Sequence, residues 1–281
     1  MNRILLKSGH EISYFEQGQG PLLFLIHGFG GTHSDWQSTL DAFTPHYRVI
    51  IPDFMRQYMQ DPKRENPLTF FDHVEILHEF VKVISHDQSE RYIVGASYGG
   101  ALTWGVLIHN PELFKAAVLV GPMPCNPTLK FENRTIKVFV DLARHPLLLE
   151  LYLVSPLGKI RLPLIESIFH APWIRPGRRR KFAFLSPRKA KLISHVIRSF
   201  AWIVRHEDWA YWESRFHRIK QRVQILYGSD DRIFKEGVNT GFARAIPGAE
   251  VKMIDNCGHL AMLEQPKQIA EEILKFFKTC E

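Results

Sequence analysis

Polar and apolar positions alternate along residues 2–8 and 11–17, on either side of Gly9. That period of two predicts an antiparallel hairpin with one solvated face. After a turn at Gly18 to Pro21 the pattern changes: Leu22 through Ile26 is apolar at every position, as a parallel strand covered on both faces requires. Short apolar runs recur at Tyr47–Ile51, Tyr92–Val94, Ala116–Val120, Val223–Tyr227 and Glu250–Ile254. Helical periodicity lies between them, clearest over Phe70–Ile84 (Phe71, Val74, Leu77, Val81, Ile84) and Ile269–Phe277. Strands alternating with helices predict the α/β class, a mostly parallel central sheet flanked by helices. Right-handed crossovers place the carboxyl ends of the strands on one edge, where ligands bind in open sheets.

The alternation breaks after Gly121. From Pro122 to about Lys220 the chain has no strong strand pattern but four helical stretches, Thr135–Arg144, Leu147–Val154, Leu162–Phe169 and Ala190–Val204, separated by prolines. The expected organisation is a core of residues 1–121 and 221–281 with a helical cap, 122–220, inserted between two strands. Charge follows the same division. Residues 125–220 hold 19 Lys and Arg against 7 Asp and Glu, so the excess behind the chain's +7 formal charge lies in that third. The run Arg178 to Lys181, flanked by Trp173, Phe182 and Phe184, fits peripheral contact of the cap with an anionic membrane, or recognition of an acidic substrate. The bland reading is a solvated cap surface with its aromatics turned inward. No nucleic-acid-binding motif accompanies the charge.

At 281 residues, 45% hydrophobic and 23% charged, the chain is long enough for a sizeable core and lacks a disorder signature. Three widely spaced cysteines (Cys125, Cys257, Cys280) argue against a disulfide framework or zinc ribbon. No signal-peptide pattern and no membrane-spanning run is present, so the expected compartment is the cytoplasm. His73 and His78 are five apart and share a helix face poorly, and His78-Glu79 lacks the second histidine of a zincin. No metal site is expected.

Chemistry concentrates after strands. The predicted strand Tyr92–Val94 runs into Gly95-Ala96-Ser97-Tyr98-Gly99-Gly100 and then a helical pattern from Ala101 to His109. A serine in a sharp strand–turn–helix corner needs small residues two before and two after it, and Gly95 and Gly99 supply them. The hydroxyl then projects at a helix N-terminus, where N–H groups favour developing negative charge. The alternative for such a joint is phosphate binding or close packing. Acyl transfer also needs two N–H donors for the oxyanion. Tyr98, after the serine, offers one, and Phe29, in the loop His27-Gly28-Phe29-Gly30-Gly31, the other. Tyr227-Gly228-Ser229-Asp230-Asp231 ends a strand with two candidate acids, of which the spacing from Gly228 favours Asp231. His259, in Asn256-Cys257-Gly258-His259 after the last strand, is the candidate base.

With Trp36, Ile51-Pro52-Asp53 and the run from Cys257 to Pro266, these motifs make the chain resemble the α/β-hydrolase superfamily with a cap domain. That group includes carboxylesterases, monoacylglycerol lipases, C–C bond hydrolases, epoxide hydrolases and haloalkane dehalogenases. The resemblance implies Ser97 as nucleophile, Asp231 and His259 as its partners in the order Ser–Asp–His, and Phe29 and Tyr98 as oxyanion-hole donors. It also implies a cap between the sixth and seventh core strands, and no cofactor. Two features depart from it: Asp53 is followed by no glycine-rich stretch, and the cap matches no named subfamily. Serine rather than aspartate at position 97 argues against epoxide hydrolases and dehalogenases. The expected activity is cleavage of an ester on a small-molecule acyl substrate, with a C–C bond hydrolase of a diketone-type ring-cleavage product, or a slow-turnover ligand receptor, as alternatives.

Overall fold

A computed structural model of the chain describes residues 1–54, 68–86, 90–127, 138, 141–142, 145–155, 187–234 and 237–281. Among these, eight strands form one sheet: β1 (Asn2–Leu5), β2 (Glu11–Gln17), β3 (Leu22–Ile26), β4 (Arg48–Asp53), β5 (Arg91–Ala96), β6 (Ala116–Val120), β7 (Arg222–Gly228) and β8 (Glu250–Ile254). Their spatial order is β1-β2-β4-β3-β5-β6-β7-β8. β2 pairs antiparallel with β1 and β4, and every other neighbouring pair is parallel. Each apolar run of the sequence is a strand, and β3, β6 and β8 keep the expected bounds. β5 and β7 are longer than their apolar runs because the backbone ladder continues through flanking residues such as Arg91, paired with Leu22, and Arg222, paired with Ala116.

Helices among the described residues include α1 (Leu40–Phe43), α2 (Phe70–Ile84), α3 (Tyr98–His109), α4 (Pro146–Val154), α5 (Pro187–His206), α6 (Trp209–Glu213), α7 (Val238–Ala245), α8 (Ala261–Glu264) and α9 (Pro266–Lys278). Alternation along the strands splits the core into two layers. Phe24, Ile26, Ile93, Leu119 and Ile225 face α2 and α3. Leu23, Leu25, Val94, Val118 and Leu226 face Trp36, Phe43 of α1 and Ile269, Ile273 and Phe277 of α9. Helix α2 keeps the expected buried face at Val74, Leu77, Val81 and Ile84, and departs from it only at its first turn, where Phe70 is buried and Phe71 exposed. The cause is local: Thr69 caps the helix and forms a reciprocal capping box with Asp72, which fixes where the first turn begins.

Between β6 and β7 the described residues contain helices and no strand. α4 starts one residue before its predicted range, and α5 overruns its range at both ends. The stretches Thr135–Arg144, apart from 138 and 141–142, and Leu162–Phe169 lie outside the described residues, as does the basic run from Arg178 to Lys181. Leu149, Leu153, Ala201, Ile203, Trp209 and Trp212 of this segment join the same apolar layer as α2 and α3. Trp212 sits edge-on to Phe70 at 5.1 Å and near Trp104 at 5.8 Å. Among the described residues no helix is long and apolar enough to cross a membrane.

Glu207, in the loop between α5 and α6, ties this segment to the core. Its carboxylate accepts hydrogen bonds from Trp212 Nε1 and, at 3.3 Å, from the Phe71 backbone N–H. Burial pushes its pKa above the ordinary carboxylate value. Glu207→Ala leaves the indole N–H of a fully buried tryptophan without that acceptor, so the expected loss in unfolding free energy is about 1–3 kcal/mol. Urea denaturation checks this, with Glu207→Gln, which keeps an acceptor, expected to lose less.

Candidate active site

The site begins where β5 turns into α3. Ser97 has φ 53° and ψ −115°, in the left-handed half of the map that a side chain rarely adopts. A Cβ at position 95 would run into the carbonyl oxygen of Gly99, and one at 99 into the carbonyls of Ile26 and His27. Only glycine permits β3, β5 and α3 to meet this closely. The turn is held by Ser97 N–H donating to Val120 O at 2.9 Å and Met123 N–H donating to Ser97 O at 2.9 Å. Helix α3 is buried at every position from Tyr98 to Ile108, which fixes the direction of the serine hydroxyl.

Two loops converge on that hydroxyl. His259 Nε2 lies 2.9 Å from Ser97 Oγ, and its Nδ1 lies 2.9 Å from Asp231 Oδ2. A carboxylate only accepts, so Nδ1 carries the proton and Nε2 is left to accept from the serine. The other carboxylate oxygen, Asp231 Oδ1, accepts from Ile233 N–H at 2.9 Å. The side chains of His259 and Asp231 are only 1% and 5% exposed, so bulk water screens the pair little. Asp230 faces elsewhere and accepts from Ser229 Oγ at 2.7 Å. The geometry thus separates the two acids that sequence spacing left adjacent.

The histidine loop is braced on both sides. Gly258 N–H donates to Glu264 of α8 at 2.8 Å, Gln265 Nε2 donates to Asn256 O at 3.0 Å, and Asp230 N–H donates to Cys257 O at 2.8 Å. Cys257, two residues from the imidazole, is fully buried, and that burial pushes its thiol pKa far above the usual value. It is a packed thiol, unsuited to act as a nucleophile.

Phe29 and Tyr98 lie side by side, their rings edge-to-face at 5.2 Å, with Phe200 of α5 at 5.0 Å from Phe29. Tyr98 is the first residue of α3, where N–H groups point past the helix end. His27 holds the loop that carries Phe29. Its Nε2 accepts from Phe54 N–H at 3.1 Å, so its Nδ1 carries the proton and donates to Gly28 O at 2.8 Å. The ring is fully buried and, in this tautomer, neutral. His73 of α2 lies 2.7 Å, Nδ1 to hydroxyl, from the Tyr98 side chain. Sequence reasoning missed the roles of both histidines. His27 had a signal, being part of the His-Gly motif; His73, 25 residues from Tyr98, had none.

The five residues selected from the sequence therefore meet at one sheet edge: Ser97, Asp231 and His259 as a hydrogen-bonded chain, Phe29 and Tyr98 beside it. An alcohol in contact with a neutral imidazole backed by a buried carboxylate can be deprotonated as it attacks a carbonyl. No cluster of three metal-ligating side chains surrounds Ser97 among the described residues.

Comparison with known proteins agrees with this architecture. The chain is 26% identical over 280 residues to 2-hydroxy-6-oxo-6-(2'-aminophenyl)hexa-2,4-dienoic acid hydrolase of Metapseudomonas resinovorans, covering 98% of this chain and 90% of that protein. It is 19% identical over 259 residues to a monoacylglycerol lipase of Bos taurus, covering 92% and 76%. Its fold resembles that of a thermophilic esterase from Thermogutta terrifontis, with a TM-score of 0.75 at 15% identity over 100% of this chain and 99% of the other. The model of the alpha/beta hydrolase family matches residues 23–272. An eight-stranded, mostly parallel sheet carrying a serine at its central strand–helix corner thus belongs to a hydrolase, and the chain is a member of the alpha/beta hydrolase family.

Proposed function

We propose that this protein is a serine hydrolase that cleaves carboxylic esters through a Ser97–His259–Asp231 triad and an acyl-enzyme. The observation that carries the proposal is the continuous pair of 2.9 Å contacts from Ser97 Oγ through the imidazole to Asp231. His259 Nε2 takes the Ser97 proton as Oγ bonds to the ester carbonyl carbon. The carbonyl oxygen, now negative, is received by the Phe29 and Tyr98 backbone N–H groups. Collapse of the tetrahedral intermediate breaks the C–O bond, and the departing alkoxide takes the proton from His259. Water, deprotonated by the same nitrogen, then attacks the acyl carbon, and the breaking bond returns the Ser97 hydroxyl. The buried Asp231 carboxylate stabilises the imidazolium at each step. Phe29, Tyr98 and Phe200 pack together beside this chemistry and Phe234 packs against the His259 ring, apolar surroundings that favour an acyl chain or an aromatic ring.

A second reading, hydrolysis of a C–C bond in a vinylogous diketone, is favoured by the near full-length match to a dienoic acid hydrolase. Both readings use the same serine, so turnover decides between them. A panel of p-nitrophenyl esters assayed beside a ring-cleavage diketone is expected to show the higher kcat/KM on an ester; the reverse order assigns the C–C activity.

Labelling with a fluorophosphonate is expected for the wild type and absent from Ser97→Ala. Asp231→Asn should lower kcat on the preferred ester by about 10⁴-fold, through loss of the correct imidazole tautomer, while Asp230→Asn stays within about threefold of wild type. Equal losses at both positions would overturn the assignment of the acid.

Because burial keeps Cys257 protonated and covered, iodoacetamide at neutral pH is expected to leave ester turnover intact while the fluorophosphonate abolishes it. Inactivation by alkylation, prevented by Cys257→Ser, would contradict this.

The segment between β6 and β7 supplies the proposed contact with anionic membrane. Leu147, Leu148 and Leu151 of α4 are 76%, 55% and 64% exposed, an apolar patch on the part of the chain that carries the excess of positive charge. Co-sedimentation with vesicles is expected to rise with phosphatidylglycerol content and to fall in a Leu147→Ser, Leu151→Ser variant; binding indifferent to lipid charge would refute the contact.

A further inference from the structure

Helix α3 carries the nucleophile at one end and a second cluster of reactive side chains at the other. Glu75 and His78 lie three residues apart on α2, on one face, and His109 is the last residue of α3. One ligating atom from each can be chosen so that all three lie within 4.8 Å of one another. Glu75 Oε1 is shielded from solvent and lies 2.8 Å from His109 Nε2, yet it makes no hydrogen bond of acceptable geometry among the described residues. The His78 and His109 rings are 5.9 Å apart. All three residues are partly buried, so they open to solvent without being freely hydrated.

The packing of the two helices creates this juxtaposition. A Cβ at Gly105 would fall 2.6 Å from Val74 Cγ2 and 3.2 Å from Phe70 Cζ, so glycine there lets α3 press against α2. One helical turn on from that contact, Gly105 leads to His109 and Val74 leads to His78. The same close approach therefore delivers the histidines to each other, with Glu75 beside them. Spacing along the sequence pairs His78 with His73, which faces Tyr98 instead; the missing partner is on another helix.

We infer that Glu75, His78 and His109 form a binding site for a divalent cation of the zinc class, one that braces α2 against α3. Two imidazole nitrogens and one carboxylate oxygen are borderline donors, matched to Zn²⁺, Co²⁺, Ni²⁺ or Cu²⁺ and poorly suited to Mg²⁺ or Ca²⁺, which take oxygen ligands. A metal about 2.0–2.1 Å from each donor sets neighbouring donors roughly 3 Å apart, so small side-chain rotations close the cluster around an ion. The remaining coordination positions belong to water. The site is about 18 Å, the length of α3, from Ser97, so its role is to fix the helix pair that positions the nucleophile rather than to take part in the reaction. This inference is independent of the substrate proposed for Ser97.

The test uses the full chain, stripped with a chelator and titrated with ZnCl₂ by isothermal calorimetry. Saturable uptake of one equivalent is expected, with a melting temperature raised by about 5–10 °C at a hundredfold excess over Kd. CoCl₂ in place of zinc is expected to give visible absorption bands of nitrogen-ligated cobalt. His78→Ala and His109→Ala should each weaken zinc binding at least about tenfold and abolish the melting shift, while Ser97→Ala binds as wild type. Should an alanine variant fail to fold, His109→Asn, which keeps a polar side chain on the last turn, serves in its place. The site is refuted if no saturable zinc uptake occurs, or if uptake and melting shift persist unchanged in the folded histidine variants, which would place an adventitious ion elsewhere on the surface.

Discussion

The structure depends on one strained residue. Ser97 holds a positive φ without being glycine, a conformation that costs about 1–3 kcal/mol and persists only where the surroundings over-determine it. They do so here on every side. Glycines at 95 and 99 let the neighbouring backbone close in, a hydrogen bond donated to Val120 O and another accepted from Met123 N–H clamp the turn to the end of β6, and a wholly buried helix leaves in a fixed direction. Moving the corner would disturb both core layers at once, because β5 contributes residues to each.

That corner explains why distant segments meet. Parallel strands joined by right-handed crossovers end on the same edge, so the loops after β3, β5, β7 and β8 all reach Ser97. Each loop brings one kind of group: N–H donors after β3 and at the start of α3, a carboxylate after β7 and an imidazole after β8. What surrounds them is equally important. His27 is buried and pinned between Phe54 N–H and Gly28 O, so the loop carrying Phe29 is held before any substrate arrives. Preorganised donors need not reorient as charge develops, which is where an oxyanion site gains its effect.

Aromatic packing joins the helical segment between β6 and β7 to this centre. Phe70 packs against Trp104, Trp209 and Trp212 at ring distances of 5.0–5.4 Å, Trp104 meets Trp212 edge-on at 5.8 Å, and Phe200 reaches Phe29. The same helices that support Ser97 therefore support the described helices between β6 and β7. Such coupling makes the spacing between α2 and α3 consequential at both ends, at Tyr98 through His73 and at His109 through Glu75 and His78.

The amino-acid sequence by itself determined the strands, their alternation with helices, and the order along the chain in which Ser97, Asp231 and His259 reach one sheet edge. These are local properties: a buried parallel strand must be apolar throughout, and a sharp elbow must have glycine on either side of its serine. The sequence named Asp231 over Asp230 only by spacing, and placed Phe71 rather than Phe70 on the buried face of α2, because periodicity does not record a capping box at Thr69. Contacts between helices were beyond it. The neutral tautomer of His27, the hold of His73 on Tyr98, the Glu207 strap and the meeting of Glu75, His78 and His109 arise from residues far apart in the chain that touch only after the sheet has set the distances between elements. Local pattern is written in neighbouring residues, whereas those pairings were decided by tertiary packing alone.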